Sequence, residues 1–140
     1  MTNSQALIYV VDDDAAVRTA IRLLLRSANL MVEAYGSADE FLSHFDADTH
    51  GCIVLDVRMP GLSGLELQEK LNELNVITPI IFITGHGDVP MAVEAMQMGA
   101  VDFIQKPFKD QDLLSRIQTA LVRDAHMRRE LTERETIRTR

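Results

Sequence analysis

The sequence lacks several features that define whole classes of protein. It contains a single cysteine, Cys52, which excludes an internal disulfide framework. No apolar stretch approaches the ~20 residues of a membrane-spanning helix, and the amino-terminus is short and polar, unlike a signal peptide. We therefore predict a cytoplasmic protein without a membrane span. Because Cys52 lies within an apolar run, a buried structural thiol is favoured over a nucleophile.

Basic side chains are scarce over most of the chain. Residues 1–122 hold 8 basic and 17 acidic side chains, whereas residues 123–140 hold 6 basic and 4 acidic ones. An acidic surface repels nucleic acid, so we do not expect residues 1–122 to bind it through their own surface. Several acids gathered at one site would instead favour a hard cation.

Strand-like and helix-like segments alternate along the chain. A continuous apolar run with β-branched residues predicts a strand buried on both faces at 6–11, and four further strand-like runs predict strands at 31–35, 51–55, 79–83 and 101–104. A segment with apolar residues at helical spacing follows each run. The pattern predicts an α/β fold of the (βα)5 type, a doubly wound five-stranded parallel sheet with helices on both faces.

Reactive polar side chains stand at or just after the carboxyl ends of four predicted strands. In chain order they are Asp12-Asp13-Asp14, Asp56, Thr84 and Lys106-Pro107. Parallel strands bring their carboxyl ends to one edge, which is where open α/β sheets place their sites. We therefore predict that carboxylates, a hydroxyl and an ammonium converge on one crevice.

Each of these residues also has a structural interpretation. Asp12 and Asp13 could cap the following helix, and for Asp14 that role is favoured. Thr84 alone could cap a turn, and Lys106 alone could be a solvated surface lysine. Their joint occurrence favours a site. A carboxylate such as Asp56 can attack phosphorus if a divalent cation and cationic groups surround the phosphoryl oxygens.

The chain resembles the response-regulator receiver domain of two-component signalling, over about residues 5–122. The resemblance rests on four ordered segments, VVDDDAAVR (10–18), VLDVRMPGLSGLEL (54–67), PIIFITGHGD (79–88) and AMQMGAVDFIQKPF (95–108). It implies a flavodoxin/CheY-like fold. It also implies a protein that is not a metabolic enzyme and catalyses only its own phosphoryl transfer and dephosphorylation.

The resemblance implies a role for each residue of the phosphoryl site. Asp56 resembles the phosphoacceptor. Asp12 and Asp13 resemble the acidic pair that binds Mg²⁺ (or Mn²⁺), with Asp13 favoured as the direct ligand. The backbone carbonyl of Arg58 resembles the third protein ligand of the metal.

Four further residues resemble the family's switch elements. Thr84 resembles the hydroxyl that hydrogen-bonds the phosphoryl group, and Lys106 the lysine that pairs with it. A cis peptide bond is implied between Lys106 and Pro107. Phe103 resembles the aromatic residue that moves inward on activation, although it could also be an ordinary core residue of its strand.

The TGHGD and GAVDFIQKPF segments, with the charged stretch that follows, look most like FixJ/NarL-type regulators. The resemblance implies a receiver at 1–122 and a charged helical linker at 123–140, toward a helix-turn-helix DNA-binding domain that the chain lacks. The implied partners are a sensor histidine kinase and, on phosphorylation, a second copy of the chain. The chain is either a receiver-plus-linker fragment or a stand-alone receiver. Residues 123–140 could alternatively be a solvated helix or a frayed tail.

Other functional classes remain as competing hypotheses. A haloacid-dehalogenase-type phosphatase also uses a strand-end Asp, but it usually needs a second Asp at the position that Arg58 occupies. An interaction module without phosphorylation is disfavoured by the intact acidic set. A flavodoxin-like cofactor binder is disfavoured because three acids, and not a Gly-rich loop, follow the first strand. The four histidines lack metal-ligand spacing, and we expect surface or packing roles for them, with His86 near the site.

Overall fold

Five parallel strands form one sheet in the order β2-β1-β3-β4-β5. The computed structural model describes residues 6–85 and 87–139, with side chains as far as residue 133; His86 lies outside the described residues. The strands are β1 (Leu7–Val11), β2 (Met31–Tyr35), β3 (Gly51–Asp56), β4 (Ile80–Thr84) and β5 (Asp102–Gln105). The helices are α1 (Ala15–Ser27), α2 (Ala38–His44), α3 (Gly64–Glu73), α4 (Val89–Gln97) and α5 (Asp110–Thr139).

The predicted fold class is confirmed, and the predicted strands differ from the observed ones by no more than one residue at either end. Two of these differences concern the site. Asp56 and Thr84 are the last residues of β3 and β4 and not the first residues beyond them. Each is aligned with a residue of the neighbouring strand, Asp56 with Ile83 and Thr84 with Gln105. The sheet register therefore determines where the two polar side chains stand.

Two hydrophobic clusters cover the two faces of the sheet. One contains buried residues of α1 and α5, such as Ile21 and Leu113. The other contains buried residues of α2, α3 and α4, such as Phe41, Leu67 and Ala95. Because successive strand residues point to opposite faces, strands covered on both sides are apolar throughout, which explains the continuous runs in the sequence.

Polar caps stand at the start of three helices, including α2, where the Ser37 hydroxyl accepts a hydrogen bond from the backbone N–H of Glu40 at 3.1 Å. Asp14 caps α1, accepting hydrogen bonds from the backbone N–H groups of Ala16 at 2.9 Å and Val17 at 3.4 Å, which confirms the predicted capping role. Helix α3 opens with a capping box between Ser63 and Glu66. The Ser-x-x-Glu spacing of this box is present in the sequence, although its serine stands in a stretch that also indicates a turn.

Helix α5 continues without a break past residue 122, where the charge composition changes. Asp124, the second residue beyond that point, is buried. The predicted boundary therefore does not coincide with the end of a helix or with the loss of contact to the sheet. In the part of the chain that the structure describes, no helix is both long enough and apolar enough to cross a bilayer.

Candidate functional site

Three carboxylates meet at the carboxyl edge of the sheet. Asp12 directly follows β1, and Asp56 ends β3, the strand that pairs with β1. Asp13 lies beside them, and carboxylate oxygens of the three residues lie within 4.8 Å of one another. Asp12 and Asp56 are buried, whereas Asp13 is exposed. The site lies between β1 and β3, whose following connections lead to opposite sides of the sheet, to β2 and to β4; this is the usual ligand position in such sheets.

Burial and mutual repulsion disfavour ionisation of two of these acids. The pKa of Asp56 is raised to about 7, first by burial and then by the neighbouring Asp12 carboxylate. Burial also raises the pKa of Asp12, although a hydrogen bond from the Asp14 backbone and the charge of Lys106 oppose the rise. A bound cation would remove much of this repulsion.

Lys106 lies beside the carboxylates of the acidic cluster. Its Nζ lies 3.6 Å from Oδ2 of Asp12, which is too long for a good hydrogen bond. That buried Oδ2 atom has no hydrogen-bond partner among the described residues. An unpartnered carboxylate oxygen beside two further carboxylates fits the oxygen ligands that Mg²⁺ prefers. The Lys106–Pro107 peptide bond is cis, and the backbone N–H of Lys106 donates to the carbonyl oxygen of Thr84 at 2.8 Å.

The backbone and the side chain of Arg58 form hydrogen bonds with different residues. Its backbone N–H donates to Oδ1 of Asp56 at 3.2 Å. Its Nε donates to Oδ1 of Asp88 at 2.7 Å, and the Gly85 N–H donates to the other Asp88 oxygen at 3.3 Å. These contacts lower the pKa of Asp88, the hydrogen bond from Arg58 being the largest cause. The side chain of Arg58 thus connects the loop after β3 to the loop after β4.

Thr84 is fully buried, and its hydroxyl is directed toward β5. Its Oγ1 donates to the carbonyl oxygen of Ile104 at 3.5 Å. Phe103 lies on the same face of the sheet, because Thr84 is aligned with Gln105 and Phe82 with Phe103. Phe103 is half-buried and packs against the cluster of the α2, α3 and α4 face. Thr84 therefore lies at the carboxyl edge of the sheet, and its hydroxyl is hydrogen-bonded to β5, on the side of β4 opposite to Asp56.

Residues 8–118 match the family model of the response regulator receiver domain. The chain belongs to this family. Nodulation protein W of Bradyrhizobium diazoefficiens is 52% identical to this receiver over 126 residues, 90% of this chain and 56% of that protein. Transcriptional regulatory protein FixJ of the same species is 49% identical over 114 residues, 81% of this chain and 56% of that protein. This receiver spans about half the length of these curated relatives.

A solved structure shares the fold of this receiver. The structure of response regulator StyR matches it with a TM-score of 0.91 at 46% sequence identity, covering 96% of this chain and 68% of that chain. The resemblance to FixJ-type receivers and the flavodoxin/CheY-like fold are thus confirmed. Receiver domains generally bind Mg²⁺ at their acidic pocket, and those of FixJ-type regulators interact with sensor kinases. The family is in general not one of metabolic enzymes.

Two features of the receiver's site were missed in the sequence. The partnership of Arg58 with Asp88 joins residues 30 positions apart, and no local pattern indicates it. Gly64, at the start of α3, lies so close to β3 that a Cβ atom would come 2.2 Å from the carbonyl oxygen of Asp56. Gly64 belongs to the PGLSG stretch (60–64) that indicates a turn in the sequence, but its close approach to Asp56 depends on how α3 packs.

Proposed function

We propose that this receiver is a phosphorylation-activated switch in which Asp56 accepts a phosphoryl group from a sensor histidine kinase. The observation that carries the proposal is the cluster of Asp12, Asp13 and Asp56, with carboxylate oxygens within 4.8 Å of one another. Lys106 stands beside it, 3.6 Å from Asp12. Acids that hold a divalent cation, a strand-end carboxylate and a cation for the phosphoryl oxygens are the components that phosphoryl transfer needs.

Asp56 supplies the nucleophile. Its Oδ1 accepts the hydrogen bond from the backbone N–H of Arg58, which leaves Oδ2 to attack phosphorus. The new O–P bond forms as the P–N bond to the kinase phosphohistidine breaks, and the leaving imidazole keeps the electron pair and takes up a proton. Asp56 must be ionised to attack, although its pKa is about 7. Cation binding beside it favours the ionised form.

The other residues of the crevice orient and neutralise the phosphoryl group. Asp12, Asp13 and the backbone carbonyl of Arg58 would hold the metal, with Asp13 as the direct carboxylate ligand besides Asp56. When bound, Mg²⁺ (or Mn²⁺) neutralises charge on the phosphoryl oxygens. Lys106 neutralises a further oxygen by moving from Asp12 toward the phosphoryl group. Water later attacks phosphorus in the Asp56 acyl phosphate; the bond from phosphorus to the Asp56 oxygen breaks, inorganic phosphate is released and the carboxylate is restored.

Phosphorylation changes the preferred partner of Thr84. A phosphoryl oxygen is a stronger hydrogen-bond acceptor than the Ile104 carbonyl, which the Thr84 hydroxyl contacts at 3.5 Å. Rotation of Thr84 toward Asp56 frees space on the face that Phe103 shares, and Phe103 moves inward. The surface formed by α4, β5 and the start of α5 is thereby biased between two states.

The output is homodimerisation and control of transcription through a further domain. The name of the relative FixJ describes a transcriptional regulatory protein, and residues 123–140 would be the linker from the receiver (residues 1–122) to a helix-turn-helix DNA-binding domain. DNA is contacted only through that domain, in the cytoplasm. The alternative is a single-domain receiver that acts through protein–protein contacts alone.

A phosphatase is the competing enzyme hypothesis. At the position where such an enzyme needs a general acid, this chain has Arg58, whose guanidinium cannot give up a proton near neutral pH. That side chain is also engaged with Asp88 at 2.7 Å. We expect no turnover of a generic phosphomonoester such as p-nitrophenyl phosphate, and sustained turnover would favour the phosphatase.

Intact mass measurement with a small phosphodonor tests the proposal. The protein is incubated with Mg²⁺ and acetyl phosphate, and we expect one phosphoryl adduct. Asp56→Asn removes the nucleophile and abolishes the adduct. Asp14→Asn is the matched control, since asparagine caps a helix as well as aspartate does and the adduct should remain. An adduct of unchanged level in Asp56→Asn would contradict the assignment.

A further inference from the structure

A buried carboxylate on α5 joins the charged end of that helix to the opposite edge of the sheet from the phosphoryl site. Asp124 is 1% exposed. Its Oδ2 accepts three hydrogen bonds, from Nδ1 of His50 at 2.6 Å, from the backbone N–H of Gly51 at 3.0 Å and from Nε of Arg128 at 2.8 Å. Its Oδ1 has no partner among the described residues. All the hydrogen bonds that this carboxylate accepts from the described residues therefore go to one oxygen.

Two of the three donors, His50 and Gly51, lie at the amino end of β3. Gly51 begins β3, and the carbonyl oxygen of the preceding His50 accepts the N–H of Leu7 at the start of β1. A second Arg128 nitrogen donates to Oγ1 of Thr78, two residues before β4, at 3.2 Å. The contact partners on the sheet side lie 50 to 74 positions away in sequence. The end of α5 is thus attached to the strands and not only to its own helix.

Apolar packing holds α5 only as far as residue 121. Leu113, Ile117 and Leu121 are buried in the core of the sheet. Beyond them no apolar side chain up to residue 133 is fully buried: Val122 is 69% exposed, Met127 40% and Leu131 37%, and Ala125 is half-buried. Of the described side chains from 122 to 133, only Asp124 is buried. Helix ends without tertiary contacts fray, so polar contacts must hold this part of α5.

We propose that Asp124, His50, Arg128 and Thr78 form a latch that attaches α5 beyond residue 122 to the amino edge of the sheet. The latch determines the direction in which the helix leaves the receiver. The inference rests on the proposed function only in regarding residues 123–140 as a linker, because a linker in a fixed direction transmits a change at α5 better than a flexible one does. His50 can donate from Nδ1 in its neutral form, so the latch needs no extra charge.

Amide hydrogen exchange on the unphosphorylated, metal-free protein tests whether the latch holds this segment. Asp124→Ala removes the common acceptor, and Arg128→Met keeps the stem while removing two donor groups. We expect exchange in residues 122–131 to accelerate by about tenfold or more in Asp124→Ala and by less in Arg128→Met. Amides of β1 and β3 should keep their protection. Because no phosphoryl transfer is involved, failure of the proposed phosphorylation leaves this test unaffected.

Glu130→Ala is the control on the same helical segment. It removes the exposed ion pair with His126, at 3.5 Å, without touching the latch, and exchange should stay unchanged. Unchanged exchange in Arg128→Met and Asp124→Ala would overturn the proposal. Equal acceleration throughout the chain would also overturn it, because Asp124 would then support global stability only. If Asp124→Ala does not fold, Arg128→Met still decides between these outcomes.

Distance measurement between two spin labels tests the direction of the helix. Labels are placed at Glu69→Cys on α3 and Glu133→Cys on α5, two exposed positions. The native Cys52 is fully buried, and burial raises the pKa of its thiol, so it should not react. We expect a narrow distance distribution in the parent and a broader one in Arg128→Met. Identical distributions would contradict the latch.

Discussion

The Lys106 ammonium nitrogen lies 3.6 Å from Oδ2 of Asp12 and not on Asp56. The positive charge of Lys106 therefore lies closest to Asp12, the neighbour of the proposed phosphoacceptor Asp56. Asp12 Oδ2 has no other partner among the described residues, so this electrostatic contact is the one that a phosphoryl group or a metal would replace. A short movement of the Lys106 ammonium away from Asp12 would bring it to a phosphoryl group on Asp56.

Lys106→Met should slow phosphorylation without preventing folding. The methionine keeps most of the side-chain length but cannot neutralise a phosphoryl oxygen, and loss of one such group costs on the order of 10²-fold in rate. The measurement is the time course of the intact-mass adduct with acetyl phosphate. Lys109→Met is the control, since Lys109 is exposed and should have no effect. Equal rates in both variants would contradict the role of Lys106.

Asp56 should make the metal-free protein less stable as the pH rises. Its folded-state pKa of about 7 lies above the ordinary value of 3.8, so the folded protein retains a proton that the unfolded chain releases. The contribution of the protonated Asp56 carboxyl to the free energy of unfolding is fully present below the ordinary pKa. It is lost as the pH rises toward and through 7. Asp56→Asn should therefore be more stable than the parent at pH 8, by about 1–2 kcal/mol.

Urea unfolding without metal at pH 5 and pH 8 measures this difference. Asp56→Asn should exceed the parent in free energy of unfolding by less at pH 5 than at pH 8. At pH 5 the Asp56 carboxyl of the folded parent is protonated and resembles the amide of asparagine. Added Mg²⁺ should stabilise the parent at pH 8, since a ligand of the folded state shifts the unfolding equilibrium. A constant difference between the two proteins at both pH values would contradict the raised pKa of Asp56.

Gly64→Ala should displace Asp56, although the two residues are eight positions apart in the sequence. The added Cβ would come 2.2 Å from the carbonyl oxygen of Asp56, so either β3 or the start of α3 must move. Overpacking of this kind typically costs about 1–3 kcal/mol, and the displaced carboxylate should phosphorylate more slowly. Thermal unfolding and adduct formation are the measurements. Gly36→Ala is a milder comparison: its Cβ would meet the Arg18 guanidinium at 3.1 Å, which donates to the carbonyl oxygen of Asp12 at 2.7 Å, and a smaller loss is expected because a side chain moves more easily than backbone.

Thr84→Val should allow phosphorylation of Asp56 but prevent the movement of Phe103 that follows it. Valine keeps the shape of the threonine side chain, and the lost hydrogen bond to Ile104 is long at 3.5 Å, so the stability cost should be about 1 kcal/mol or less. The variant should still form the Asp56 adduct. It should lack the change in the NMR signals of the Phe103 ring that phosphorylation causes in the parent. The same Phe103 change in the variant would show that Thr84 is not the switch.

The sequence predicted the fold well because the fold follows from local patterns. Apolar runs of strand length, separated by segments of helical period, indicated a parallel sheet covered on both faces. The polar residues that end those runs then had to lie on one edge. The structure brings Asp12, Asp13 and Asp56 together there, and Asp14 caps α1 as its position indicated. The match to the receiver family over residues 8–118 confirms the predicted family.

Tertiary structure alone decided the properties that depend on burial and on contacts between distant residues. The raised pKa of Asp56 requires a desolvated position beside Asp12. The direction of the Thr84 hydroxyl follows from the register of β4 against β5. The charge composition of residues 123–140 indicated a solvated segment or a linker, yet Asp124 is buried against His50. Long-range pairing and desolvation leave no periodic trace in the sequence, which is why only the folded chain shows them.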